Sequence, residues 1–478
     1  MSIQPVILWT DALLFVLVAA GLFAAVHVRN TEPLREAWRK VGQRPTGMAA
    51  ATVLLAFVVV GLLDSLHYRP PLSEVAQGAD VPARSEGARS PIYSSEVLSA
   101  LDAILAPLRL RTEKTYSAPL AATLYQRETV LAPDGGQERV YPRLVYGAAH
   151  LADPPAQLAG DVAVRVAKAL AIVAPGWGLA CLVVVVGVGR RSRLPLGEAV
   201  SAVMRGRTTL AWRAALVTLG VLSAIVSVWA VLATHYHVFG TDKVGQDVLY
   251  LALKSVRTAL VIGTITTLAM MPFAVALGIA AGYLGGWIDD AVQYVYTVLN
   301  AIPGVLLIAA AVLMMQVVID THPQWFDTAA QRSDARLLAL CLILGMTSWT
   351  GLARLLRGET LKLRELEYVQ AARAFGVGTA AILRRHILPN VMHIVLIALV
   401  MDFSGLVLAE AVLSYVGIGV DPTTISFGTM INMARAELAR EPMVWWSLAA
   451  AFVFMFVLVL AANLFADVVR DAFDPRRS

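Results

Sequence analysis

"YVQAARAFGVGTAAILRRHILPN" runs from Tyr368 to Asn390 between two long apolar stretches. Arg373, Arg384 and Arg385 keep it out of the hydrocarbon of a bilayer. Ala371, Ala372, Ala374 and Gly376 give it a run of small residues that a solvated loop does not need. Helical spacing puts Ala371, Ala372 and Phe375 on neighbouring faces of a helix expected over about Arg364–Phe375. Gly376 suits the position just past that helix, where a left-handed residue ends it at little cost. A second short helix is expected over about Thr379–Arg385, with Leu388-Pro389 opening the next apolar segment, since proline is tolerated in a first turn. Local physics leaves two readings. Either this is a knuckle of two helices that lets another protein approach its backbone, or it is an amphipathic loop lying on the bilayer surface.

The flanking segments decide the class. The 478-residue chain is 58% hydrophobic and only 15% charged, against about 25% charged in soluble domains. Its mean hydropathy is +0.67. Several runs exceed the roughly 18 apolar residues that mark a membrane-spanning helix. Too little polar surface remains to cover a soluble protein with that many buried helices. The net charge of +5 does not point to nucleic acid, because the basic residues cluster in short loops beside apolar segments, as the positive-inside bias requires. Cys181 and Cys341 both fall inside apolar runs and read as small core residues, not as a disulfide. No Lys or Arg precedes the first apolar run, so the N-terminus does not resemble a signal peptide.

Nine spans are expected, at about Pro5–Val28, Thr46–Leu66, Ala169–Val188, Ala214–Ala233, Leu260–Leu284, Val292–Val318, Leu337–Leu356, Pro389–Val416 and Val444–Leu464. "GGWIDDAV" (285–292) reads as a short turn. The loops at Arg29–Arg44, Gly189–Arg213 and Arg354–Arg385 are basic and belong on the cytoplasmic side. That puts the N-terminus outside and the C-terminus inside. Arg165 and Lys168 fall on the disfavoured side, outweighed by the larger basic group that follows the third span.

Residues 67–161 lack a span-length apolar run and belong outside. "SSEVLSALDAIL" carries the helix N-cap candidates Ser94 and Ser95. "ETVLAPDGGQERVYPRLV" reads as a hairpin turning at Pro133-Asp134-Gly135-Gly136. About 95 residues suffice for a small α+β domain, marginal by itself. An ordered extension packed on the membrane part is the equal alternative.

The knuckle resembles the EAA loop of ABC-importer membrane subunits, a Glu-Ala-Ala, then Gly, then apolar-x-Leu-Pro pattern. Gln370-Ala371-Ala372, Gly376 and Leu388-Pro389 occupy those places, with Gln370 for Glu and His386 for the usual Ile. "FGTDKVGQDVL" (239–249) resembles the Phe-Gly-Thr-Asp-x-x-Gly-Arg-Asp segment of dipeptide and oligopeptide permeases, with Gln246 for Arg. "GYLGGWIDDAV", "EAVLSYVGIGVDPTTISFG" and "DVVRDAFDPR" are similar to that family too. The likeness covers about Thr209–Arg476. It implies an all-α polytopic protein of the bacterial inner membrane. It implies a six-helix permease core (209–478); the two helices (1–66), the small α+β extracytoplasmic insert (67–161) and the third extra helix with a linker (162–208) expected before it come from the hydropathy and charge reading and lie outside the family's usual pattern. It implies import of peptides or related solutes such as nickel chelates or glutathione. A second homologous permease would complete a heterodimer, a solute-binding protein would deliver from outside, and two cytoplasmic ATPases would hold ATP and magnesium. The coupling loop would span about 359–390, with Gln370, Ala371, Ala372, Arg373, Gly376, Leu388 and Pro389 at its surface.

Other residues carry expectations of their own. Asp402 and Glu410 lie within a span, where acids are costly and mark pathways unless paired structurally. Gly240, Thr241, Asp242, Gly245 and Asp247 either meet the binding protein or shape a turn. His235 and His237 have metal-like spacing but no clustered ligands, so a satisfied interfacial pair is the better reading and no metal site is assigned. No G-x-x-x-x-G-K-[ST], H-E-x-x-H or G-x-S-x-G motif is present, so no nucleotide hydrolysis, other enzymatic activity or bound cofactor is assigned to this chain. The competing reading is an ion-driven secondary transporter, whose mark would be paired broken helices around a midplane ion site. A receptor would need a cytoplasmic output domain, and only short loops are available.

Overall fold

The computed structural model describes residues 4–71, 93–131 and 137–473. Among these, nine helical stretches are long and apolar enough to cross a membrane. In chain order the first helices are α1 (Trp9–Asn30), α2 (Glu32–Gln43) and α3 (Pro45–Asp64), with Pro45 in the first turn of α3. Strand β1 (Gln4–Val6) precedes them, and β2 (His67–Arg69) and β3 (Leu98–Ser99) follow. The three form one antiparallel sheet in the order β1-β2-β3. The insert continues with α4 (Ala100–Ile104), α5 (Ala106–Leu110) and a hairpin of β4 (Glu128–Leu131) with β5 (Gln137–Val140). The expected hairpin is present and pairs Glu128 with Val140, while its turn lies outside the described residues. The helix cap differs from expectation. Ser99, not Ser94 or Ser95, caps α4 in a reciprocal box with Asp102, because Leu98 and Ser99 first pair as a strand.

The third span is longer than the hydropathy run. Helix α6 (Pro154–Ser192) has 39 residues, about 58 Å, so it starts inside the insert, well before Ala169. It is followed by α7 (Leu196–Met204) and α8 (Trp212–Leu232). Helix α9 (Val248–Leu284) likewise begins a full three turns before the expected Leu260, because Lys254 and Arg257 are paired inside the protein. The sixth span needs correction. "GGWIDDAV" is no turn but the start of α10 (Gly286–Ala301), and the chain breaks at Ile302-Pro303 before the crossing helix α11 (Gly304–Thr321). Then come α12 (Ala329–Ser348), α13 (Thr350–Arg364), α14 (Glu367–Ala374), α15 (Thr379–Ile382), α16 (Leu388–Val416), α17 (Phe427–Glu437) and α18 (Trp446–Phe473).

Helix α9 is the axis. On the face that carries the insert, Arg257 donates to Asp11 of α1 (2.6 Å) and Thr10 (2.9 Å), and reaches Ser65 at 3.3 Å. Asp11 also meets His67 at 2.7 Å, and Asp334 of α12 accepts from the Thr10 backbone at 3.1 Å. One turn away Lys254 donates to Asp64 of α3 (2.6 Å) and Asp102 of α4 (3.0 Å). These two clusters bind both N-terminal helices and the insert to the core. Removing one partner of a buried ion network leaves an uncompensated charge, at about 3–5 kcal/mol. Arg257→Gln is therefore expected to lower the unfolding free energy of the detergent-solubilised protein by about that much. An unfolding curve superimposable on wild type would mean that the network holds nothing together.

Candidate functional site

The knuckle begins where α13 ends. The helix expected over Arg364–Phe375 is in fact two, because the chain turns at Glu365-Leu366 between α13 and α14. Gly376 has φ +76°. Its amide donates to Arg373 O (3.0 Å) and that of Val377 to Ala372 O (3.0 Å), the pair of bonds that closes a helix through a left-handed residue. On the far side Leu388-Pro389 opens α16, as expected, but no break separates it from the short helix before. The chain is helical from Thr379 through Val416, with a π turn at Leu383–Ile387 just before the proline. Proline has no N–H to give and crowds the carbonyl four residues back. The wider turn accommodates both effects.

Two opposite demands meet in this loop. Val369, Ile382 and Ile387 are 1%, 1% and 0% exposed and pack with Met270, Ala274, Leu352 and Leu356 of α9 and α13. Phe375, at the tip, is 87% exposed. Gln370, Ala371, Arg373, Gly376 and Pro389 are exposed, and Ala372 and Leu388 are half-buried. A β-carbon on Gly376 would meet nothing within 4 Å. Gln370 Nε2 donates to Glu365 O at 3.2 Å, so the residue in the Glu place braces the α13–α14 turn. Beside it opens a cleft of about 720 Å³, lined by Tyr283, Arg364, Gln370, Arg373 and Thr379.

The Gly240–Asp247 segment forms a turn, one of its two expected uses. Gly240 (φ +71°) and Gly245 (φ +75°) lie against the insert, where a β-carbon would fall 2.3 Å from Ser117 O and 1.8 Å from Glu113 O. Thr241 donates to Thr115 O (2.9 Å) and accepts from the Ser117 amide (2.7 Å). Asp242 accepts from the amides of Val244 and Gln246, closing the turn. Asp247 caps α9 through the Leu249 amide (2.8 Å) and lies 2.8 Å from His237 Nδ1. Gly240, Thr241, Gly245 and Asp247 are thus buried within the chain, and the exposed tip is Lys243-Val244. The insert packs onto the core through this segment, which favours the packed-extension reading.

The two acids of α16 part company. Glu410 is 1% exposed and accepts from Ser414 (2.6 Å) and Ser426 (2.9 Å), the N-cap residue of α17. Asp402 is half-buried and has no hydrogen-bond or ion-pair partner among the described residues. Among those residues, no cluster of His, Cys, Asp and Glu is arranged to hold a metal ion.

Residues 274–478 match the family described as binding-protein-dependent transport system inner membrane component. The chain is 33% identical over 239 residues to the oligopeptide transport system permease protein of Mycobacterium tuberculosis (strain ATCC 25618 / H37Rv), covering 50% of this chain and 76% of that protein. The chain belongs to this family of transport permeases. The permease is also 33% identical to the glutathione transport system permease protein of Pectobacterium atrosepticum, over 50% of this chain and 73% of the relative. With the dipeptide transport system permease protein of Lactococcus lactis it shares 30% identity, over 51% and 64%. The resemblance to ABC-importer permeases of the peptide type therefore holds, as does the multi-pass helical fold. Helices α1, α3 and α6 and the insert all precede the matched region.

One arrangement of the permease was only half legible. His237 was readable as a satisfied histidine, but its second partner, Glu113, lies 124 positions away. Glu113 also accepts from the amides of Val145, Tyr146 and Gly147, binding the insert to itself. Burial acts to lower the His237 pKa, but hydrogen bonds to Asp247 and Glu113 outweigh it and hold the value at about 9. Burial acts to raise Glu113, and hydrogen bonds to His237 and the three amides outweigh that and hold it at about 2. The histidine's contribution to stability is complete below its ordinary 6.5 and is lost as pH rises through about 9. That of Glu113 is complete above 4.5 and is lost as pH falls through about 2. The Tm of the wild type is expected to fall as pH passes about 9. His237→Gln is expected to have a lower Tm at pH 6.5 and to lack that step. The same step in both proteins would rule out His237 as its source.

Proposed function

We propose that this permease forms half of a peptide-importing pathway and is driven by two cytoplasmic ATPases docked on the Tyr368–Asn390 knuckle. The carrying observation is the contrast between Phe375, 87% exposed at the tip, and the fully buried Val369, Ile382 and Ile387 that fix the loop to α9 and α13. A loop held that firmly has no need of an exposed aromatic unless something covers it. The small surface at Ala371 and Gly376 favours close approach of a partner's backbone. Because the loop continues without a break into α16, a push on the knuckle moves that helix as a rigid body. The basic loops put this face in the cytoplasm, with the N-terminus outside.

Helix α16 would line the pathway. Asp402 is then the residue that meets water or the second permease, since an unpaired acid at membrane depth is costly elsewhere. Glu410 contributes by holding α17 at the outer end of the path through Ser426, not by touching solute. The solute-binding protein would meet Lys243-Val244 and the neighbouring apolar depression of about 280 Å³ lined by Met430, Met433 and Glu437. The relatives' names support peptides or glutathione as the solute class. ATP and magnesium would be held by the ATPases.

Gly376→Trp tests the coupling surface. Within this chain the added β-carbon meets nothing within 4 Å, so the main cost inside the subunit is the left-handed backbone penalty, about 1 kcal/mol. At a close-packed interface overpacking adds about 1–3 kcal/mol more. The expected result is normal membrane insertion, weakened capture of the ATPases, and loss of labelled-peptide uptake by vesicles carrying the assembled complex. Wild-type capture and uptake would return the knuckle to the bilayer surface.

A further inference from the structure

At the basic end of α6, a groove of about 310 Å³ runs between that helix and the segment leading into α8. One wall is apolar and helical, with Val183, Val184, Gly187 and Val188 on one face of α6. Gly187 leaves it open, since a β-carbon there would meet nothing within 4 Å. One turn on, the lining changes to Arg191 and Ser192. The opposite wall is Thr208, Thr209, Leu210 and Trp212. It is fixed in place, because the Ala211 amide donates to Gly42 O (2.8 Å) and Leu210 fills the space over Gly42.

The change along the groove from valines to an arginine, hydroxyls and an indole is the change a membrane makes between acyl chains and headgroups. The charge around it is one-sided. Between residues 189 and 213 the chain has six arginines and one acid, Glu198. No hydrogen bond or ion pair joins the side chain of Arg190, Arg191, Arg193, Arg205, Arg207 or Arg213 to another described residue. Elsewhere the protein pairs its arginines readily, as at Arg257–Asp11 and Arg357–Asp289. Basic pockets between transmembrane helices suit anionic headgroups.

We propose that this groove is a binding site for an anionic phospholipid. An acyl chain would lie along Val183–Val188 across Gly187, and the phosphate would meet Arg191 and the hydroxyl of Thr209, that of Thr208 being engaged with Leu210 O. The lipid would join the α6–α8 hairpin to the rest of the protein's basic face, and the proposal does not depend on the solute or on the ATPases.

The test is a titration of the full-length detergent-solubilised protein with phosphatidylglycerol and, separately, phosphatidylcholine, followed by native mass spectrometry. Wild type is expected to retain phosphatidylglycerol in preference. Arg191→Gln should weaken it about fivefold, the effect of one interfacial charge. Gly187→Phe should fill the groove and abolish the bound lipid. Its β-carbon has room and glycine is a poor helix former, so the helix should persist. Arg35→Gln, in α2, should change nothing at this site. Equal binding of the two lipids, lipid retention by both groove variants, or displacement by inorganic phosphate at concentrations that match the lipid would each overturn the proposal.

Discussion

At Gly278 and Gly282 the backbones of α9 and α13 come so close that an added β-carbon would lie 2.7 Å from Ala353 O and 2.7 Å from Arg357 O. Between membrane helices there is no water to expel, so association rests on such close packing of small residues. The same helix meets α12 through Gly345, whose β-carbon would lie 2.8 Å from that of Ala269, and meets α16 through Gly263, set under Phe403. Helix α9 is therefore locked laterally to the three helices that carry, precede or follow the knuckle. Val369, Ile382 and Ile387 dock on this locked unit and fix the loop's position. A loosened α9–α13 contact would leave the knuckle attached but unable to transmit a displacement.

At the end nearer the insert the same helix is held by charge instead of by close packing. Asp247 caps it and meets His237, Lys254 takes Asp64 and Asp102, and Arg257 takes Asp11. Helices α1 and α3 and the insert thus reach α9 through buried ion pairs. These demand geometry, and they fail if one member is removed. The arrangement gives α9 two kinds of attachment, an apolar one on the basic face and a polar one on the insert face. The proposed movement of α16 requires the first, and the clasp of the insert requires the second.

Much of this was legible in the sequence, for reasons that differ by element. The spans followed from hydropathy because lipid demands long apolar runs. Gly376 could be placed because a helix followed by a glycine and a second helix leaves few other backbone solutions. Hydropathy failed where polar residues are buried in partnership. Lys254 and Arg257 hid the first three turns of α9, and Arg165, paired with Asp161, helped to hide the start of α6. Pro303 breaks one expected span into α10 and α11, whereas Pro389 leaves its helix unbroken because a π turn precedes it. The Gly240–Asp247 segment left two readings open for a further reason. A loop rich in Gly, Thr and Asp looks available to a partner, and only the fold shows that Ser117 and Glu113 already occupy its surface.

The central claim is that the knuckle is covered by protein and not by lipid. A photoreactive amino acid in place of Phe375 tests it directly when activated in native membranes. The account predicts a covalent adduct whose added mass is that of an ATPase subunit, reproduced at Arg373 and missing when the reactive residue is placed at Arg207. Adducts of phospholipid alone at position 375 would contradict it.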